Sequence, residues 1–476
     1  MTDQTSTIPT PITRDLCEWI YALQLTDVPA EVVTRTKYLI LDGLACAIVG
    51  SHLPWSETAT NAVLSMEAEG TCSVWGWDKK IGPLPAALLN STFTQGFELD
   101  DYHSVAPIHS SSIVLPALCA LAQHLQQPIS NSQFLIAAIV GYELGPRIGF
   151  GLRGGDVLSR GWHSGVVFGH AAAAAACSKL MGLTVDQTED ALGIACTQAC
   201  GLMSAQYGSN LKRMQHGFAS RNGLFSALIA SQGYTAMKGV LELPYGGFIS
   251  TFGSGGTKEP PTTPELITEG LGKQWEILRI NVKPYASMAA THATIDCIRK
   301  LQEEYPDALR DVDAVDYIKV EMSDPAKKKG GWTPERPVDS TSAQMSGPYA
   351  AASQIIDGAV LAAQFSTAAL DRNEHSTQFD TDENMGFGQR MKIIFKGSSK
   401  KDIVVEVASP RGINPLLSVE EIAEKWETLT KDVVDVDRRK KIEHFVLALD
   451  KNGGNTSTLD VVIDLLSTPM KGLEGF

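Results

Sequence analysis

Apolar positions from Ile12 to about Tyr234 recur at helical spacing almost throughout. Val32, Val33, Tyr38, Leu39, Ile40, Leu44 and Ile48 trace one broad face, and Phe134, Ile136, Ile139 and Val140 trace another. Pro29, Pro54, Pro83, Pro128 and Gly182 punctuate these segments, so the pattern predicts separate helices and no strand of useful length. The stretch Ala171 to Cys177 has almost no side-chain bulk, which predicts a helix at the centre of a bundle with close neighbours. From about residue 275 the period changes. Trp275–Val282, Val315–Met322, Met391–Phe395 and Ile403–Val407 read as strands, with GSSK at 397–400 joining the last two as a hairpin. Helical patterns at about 287–304 and 346–363 lie between them, and helical spacing returns in Val419–Lys425, Arg438–Leu449 and Leu459–Leu466. The expected fold is mainly α, with an all-helical domain formed by both chain termini (1–274 and 413–476) and an inserted α+β domain (275–412).

Composition narrows the function classes. Of 476 residues, 43% are hydrophobic and 20% charged, which suits a folded globular protein and argues against disorder. Lys plus Arg number 40 against 54 Asp plus Glu, a net charge of −14 that repels phosphate backbones and anionic lipid surfaces. Neither nucleic acid nor a membrane is an expected partner. The eight cysteines show no paired metal-type spacing, and several lie in apolar stretches where thiols pack as small hydrophobes. No apolar run reaches the roughly 18 residues that cross a bilayer. MTDQTSTIPTPITRD lacks the apolar centre of a secretory signal and carries Asp3 before its first Arg, so the expected location is the cytosol.

The candidate chemistry is concentrated in a few places. Between Glu98 and His109 the chain reads ELDDYHSVAPIH, placing Glu98, Asp100, Asp101, His103 and His109 at a helix end and in the loop after it. Such loops display catalytic groups; the alternative is a solvated helix end capped by Asp100 or Asp101. Two imidazoles and a carboxylate could also hold a divalent metal, though the spacing matches no specific motif. His163, in GWHSG, precedes the Ala-rich helix, where free N–H groups favour a carboxylate ligand unless the ring only caps or packs. The nearby glycines follow no strand and form no dinucleotide fingerprint. Lys212 and Arg213 open another helical pattern that ends its first turn at His216; the pair is either an anion clamp or a solvated helix face. His292 in PYASMAATH and Tyr349 in QMSGPY sit on the two α+β helices, where packing is the commoner role. No GxSxG, P-loop, HExxH or CxxC motif occurs. A cluster of His, Lys and carboxylate groups suits proton transfer on a small anion.

The segments ELDDYH…H, GWHSG, ALGIACTQACGLMSAQYGSNLKRMQHG and VKPYASMAATH, together with YLILDGLACAIVG, resemble the MmgE/PrpD family over nearly the whole chain. That family contains 2-methylcitrate dehydratases and cis-aconitate decarboxylases, and the likeness is greatest to the fungal decarboxylases. The resemblance implies a helical domain with an α+β lid, a homodimer, and a site between domain and lid that uses no metal and no organic cofactor. Carried over by motif, that site comprises Asp100, Asp101, His103, His109, His163, Lys212, His292 and Tyr349. Which of Glu98, Asp100 and Asp101 lines it stays open. The implied reaction is decarboxylation of cis-aconitate to itaconate, with dehydration or decarboxylation of 2-methylcitrate or an alkylcitrate in fungal secondary metabolism as the alternative.

Overall fold

The helix Ala30–Gly50 starts directly after Pro29 and is buried on every side from Leu39 onward, so it runs through the interior as the apolar spacing demands. A computed structural model describes residues 11–371, 377–397, 401–451 and 458–476. In it the Ala-rich helix Ser164–Met181 lies between Asn131–Gly151 and Leu211–Ser231. Ala171 to Cys177 are all buried there, and a Cβ on Gly223 would overlap Ala173, so small residues set the close approach of these helices. The C-terminal helices Val419–Thr430 and Val436–Leu447 pack on Ala30–Gly50. Their Ile422, Trp426, Ile442 and Val446 share one core with Leu16, Leu39, Phe93 and Leu115 from the first part of the chain.

A second, smaller core belongs to a four-stranded sheet. Its strand order is Thr377–Thr381, Val315–Met322, Gln389–Phe395, Ile403–Val407; the first pairing is parallel and the other two antiparallel. Ile318, Val320 and Met322 alternate inward, as do Met391, Ile393 and Phe395, and they meet Cys297, Ile298 and Leu301 of the helix His292–Glu304. The protein is thus mostly helical with a small sheet region.

Several expectations need correction. Trp275–Val282 is not a strand: Glu276–Arg279 form a 3₁₀ turn, and only Ile280–Asn281 pair, antiparallel to Tyr102–His103. The turn forms because Glu143 accepts from Ile277 N at 2.8 Å while Glu276 faces both His103 and Arg279. The helix expected at 346–363 stops at Asp357, where Gly358 takes φ 66, and a 3₁₀ turn Ala362–Phe365 follows. Thr377–Thr381 is a strand that its polar sequence TQFDT hides. Asn131–Gly151 is long and apolar enough to cross a membrane by length and composition, and 94% of its apolar window is buried inside the protein. Residues 1–10, within the N-terminal stretch judged above, and 398–400 of the GSSK turn lie outside the described residues.

Candidate active site

The loop between the helices Pro83–Thr94 and Ser110–Leu125 carries the first half of the site. Its Tyr102–His103 ladder with Ile280–Asn281 brings the segment after residue 281 alongside, and so places Lys283 next to Glu98. A cavity of about 230 Å³ opens here, lined by Glu98, His103, His109, His163 and Lys212 from the helical part of the chain and by Lys283 from the segment just after Ile280–Asn281. Ser323, Lys329 and Phe387, from the sheet-bearing part, complete the wall.

Glu98 is the electrostatic centre. It is a non-glycine residue at φ 54, a conformation that costs energy and turns its side chain inward among cations. Its Oε1 accepts from Lys212 Nζ and, at 3.1 Å, from Arg213; its Oε2 accepts from Lys283 Nζ at 3.0 Å. Burial opposes the charge, yet Lys212, Lys283 and Arg213 hold the carboxyl well below the usual carboxylate range. Arg213 is further bound to Gln344 and lies over the Trp55 ring at 5.4 Å, so it backs the site from outside the cavity. Three cations on one carboxylate leave the pocket with surplus positive charge.

His109 and His163 form the adjacent wall, with the His216 imidazole packed behind them. His109 and His163 each precede the first residue of a helix, and both rings lie 4.9 Å from His216, centroid to centroid. Space for His216 exists because residue 165 is Gly: a Cβ there would sit 3.2 Å from His216 Nε2. Burial, reinforced by Lys212, pushes His163 down to about 3, and burial with His109 and His163 lowers His216 well below the ordinary imidazole value. Both are neutral at neutral pH. The buried Asp100 carboxylate lies 3.1 Å from Nδ1 of His109. Burial would raise Asp100, but His109 holds it below its usual value.

The other sequence candidates divide. His103 lines the cavity, yet both nitrogens are engaged: Nδ1 accepts from Ala106 N at 3.1 Å and Nε2 lies 3.1 Å from Glu276. Asp101 lies outside the cavity lining and caps the helix Ser110–Leu125 by accepting from Ser111 N at 3.0 Å; burial and Asp100 raise it well above the carboxylate range. His292 is buried against Tyr285, with Nε2 3.0 Å from Ser287 O, and Tyr349 donates to Gln364 O at 2.7 Å and stacks on Phe365. Neither lines the cavity. Sequence reasoning missed Lys283, although it stands in the quoted VKPY motif, and gave His216 no role although it lies one helical turn from Lys212. No group of three or more His, Cys, Asp or Glu side chains suited to a metal occurs among the described residues.

The chain matches known proteins over nearly its whole length. The MmgE/PrpD N-terminal domain matches residues 14–260 and the MmgE/PrpD C-terminal domain residues 285–451. The chain is 44% identical to the cis-aconitate decarboxylase-like protein oryM of Aspergillus oryzae, covering 97% of this chain and 99% of that one. It is 45% identical to a cis-aconitate decarboxylase of Aspergillus terreus, covering 97% and 96% respectively. A cis-aconitate decarboxylase of Homo sapiens is 26% identical over 76% of this chain and 74% of its own length.

Proposed function

Because the chain belongs to the MmgE/PrpD family, we propose that it is a carboxy-lyase converting cis-aconitate to itaconate and CO2. The observation that carries this reading is the surplus positive charge around Glu98, where Lys212, Lys283 and Arg213 share one carboxylate beside three imidazoles. A small polyanion is what such a pocket attracts. Identity of 45% over nearly the full length of a cis-aconitate decarboxylase supports a tricarboxylate as that anion.

Turnover is redox-neutral and needs one proton delivered to carbon as one carboxylate leaves. The carboxylate on the CH2 arm departs as CO2, its bonding pair forms the new terminal alkene, and the old double-bond electrons move toward the neighbouring vinyl CH. That carbon takes the proton. Charge developing there spreads into its own carboxylate, where Lys212 and Lys283 stabilise it most in the transition state. Direct loss of the vinyl carboxylate would instead leave a localised sp2 carbanion. His109 is the donor in this scheme: Asp100 at Nδ1 orients the ring and offsets the charge of its acid form, leaving Nε2 to give up the proton. His163, neutral, serves as a hydrogen-bonding partner to the substrate.

In this reading the sheet-bearing part acts as a lid, which the mixed lining of the cavity supports. The protein pairs as a homodimer in the cytosol, and light scattering at twice 51.2 kDa tests the pairing. The activity test is incubation with cis-aconitate, 2-methylcitrate and an alkylcitrate while following CO2 and alkene absorbance. CO2 release from cis-aconitate is expected; alkene formation from a citrate with cis-aconitate untouched overturns the assignment in favour of a dehydratase.

A further inference from the structure

Lys329 ends a run of three lysines in the short helix Asp324–Gly330. Lys328 behaves as surface, exposed and paired with Asp324 at 2.8 Å. Lys329 instead lines the cavity that holds Glu98, Lys212 and Lys283. Burial alone lowers its ammonium, and among the described residues no acidic side chain pairs with it. The helix end is held in place: Trp332 Nε1 donates to Lys329 O at 2.9 Å, and a Cβ on Gly330 would meet Met288 and Thr291 at 2.9 and 3.2 Å.

A half-buried ammonium facing a cavity without a counter-charge is unfavourable until an anion arrives. The other two cavity lysines differ, because both are already bound to Glu98, one on each oxygen. Lys212 comes from the helix Leu211–Ser231 and Lys283 from the segment just after Ile280–Asn281, whereas Lys329 comes from the short helix Asp324–Gly330 of the sheet-bearing part. We propose that Lys329 determines specificity by receiving one carboxylate of the tricarboxylate from across the cavity, so that the site discriminates against dicarboxylates. This rests on the reading of the cavity as a tricarboxylate site. Lysine suits the task, since its mobile point charge can follow a carboxylate that changes position during turnover.

The test uses binding as well as turnover. Calorimetry with propane-1,2,3-tricarboxylate, which cannot undergo the allylic reaction, is compared with glutarate and methylsuccinate, each lacking one carboxylate. Wild-type protein should prefer the tricarboxylate by about tenfold or more. Lys329→Met, which keeps the apolar stem, should weaken the tricarboxylate about tenfold while leaving at least one dicarboxylate within about twofold. Lys329→Arg should restore part of the preference, and Lys328→Met should change nothing. With cis-aconitate, Lys329→Met should raise KM with kcat nearly kept. Equal weakening of all three acids, or no weakening, overturns the assignment of Lys329. Wild-type preference for the tricarboxylate without turnover of cis-aconitate leaves Lys329 standing and sinks the proposed reaction; binding of none of the three sinks both.

Discussion

The Asp100 carboxylate lies 3.1 Å from Nδ1 of His109, the residue just before the helix Ser110–Leu125, and Asp100 is fully buried behind it. The acid thus orients the imidazole from the side away from the cavity that His109 lines. His109→Gln should lower kcat by about 10²–10⁴-fold, the range of a lost general acid. Asp100→Asn should lower kcat more than it raises KM, because it disturbs the donor and not the cations. Steady-state kinetics on purified variants that keep the wild-type circular dichroism spectrum checks both; a pure KM effect in Asp100→Asn contradicts its orienting role.

Glu98 gathers cations from two distant parts of the chain, so its removal should destabilise the protein as well as impair binding. Glu98→Gln leaves buried cations without their counter-charge, at a cost of about 3–5 kcal/mol in urea unfolding. Lys212→Ala and Lys283→Ala should each reduce kcat/KM more than tenfold, about 1.4 kcal/mol or more. Near-native kinetics in Lys283→Ala would remove it from the site.

His103 lines the same cavity but has no free nitrogen, which separates it from His109. His103→Asn should cost about 1–3 kcal/mol of stability, because buried Glu276 keeps only Arg279 of its two partners, while kcat falls less than in His109→Gln. Thermal melting alongside kinetics distinguishes the two histidines.

The helical body was legible because its signal is local: apolar spacing, Pro breaks and the Ala run at 171–177 each act within a few turns. The Trp275–Val282 error came from a contact no local pattern carries, the Glu143 carboxylate on Ile277 N across 134 residues. In the candidate site, His109, His163 and Lys212 could be found from motifs. The sequence could not separate Asp100 from Asp101, adjacent carboxylates of which one meets an imidazole and the other a helix N-terminus. Lys329 was hidden in a charge run that ordinarily marks a solvated face.

Buried neutral histidines make the fold sensitive to acid. Burial, with Lys283, pushes His292 down to about 3, from an ordinary 6.5. The unfolded chain therefore binds the extra proton first, and His292's contribution is present above pH 6.5 and lost as pH falls toward 3. In urea unfolding, the penalty of His292→Gln at pH 7 should shrink by about 2 kcal/mol at pH 5, since the variant has no such proton to bind. A penalty independent of pH contradicts a neutral His292.

Proton NMR of the product formed from cis-aconitate in D2O tests the central claim most directly. The account predicts itaconate carrying one deuterium on its saturated CH2 and none on the terminal alkene carbon, because the vinyl CH receives the proton while the carboxylate of the CH2 arm departs. Deuterium on the alkene carbon contradicts the allylic route, and absence of itaconate contradicts the decarboxylase itself.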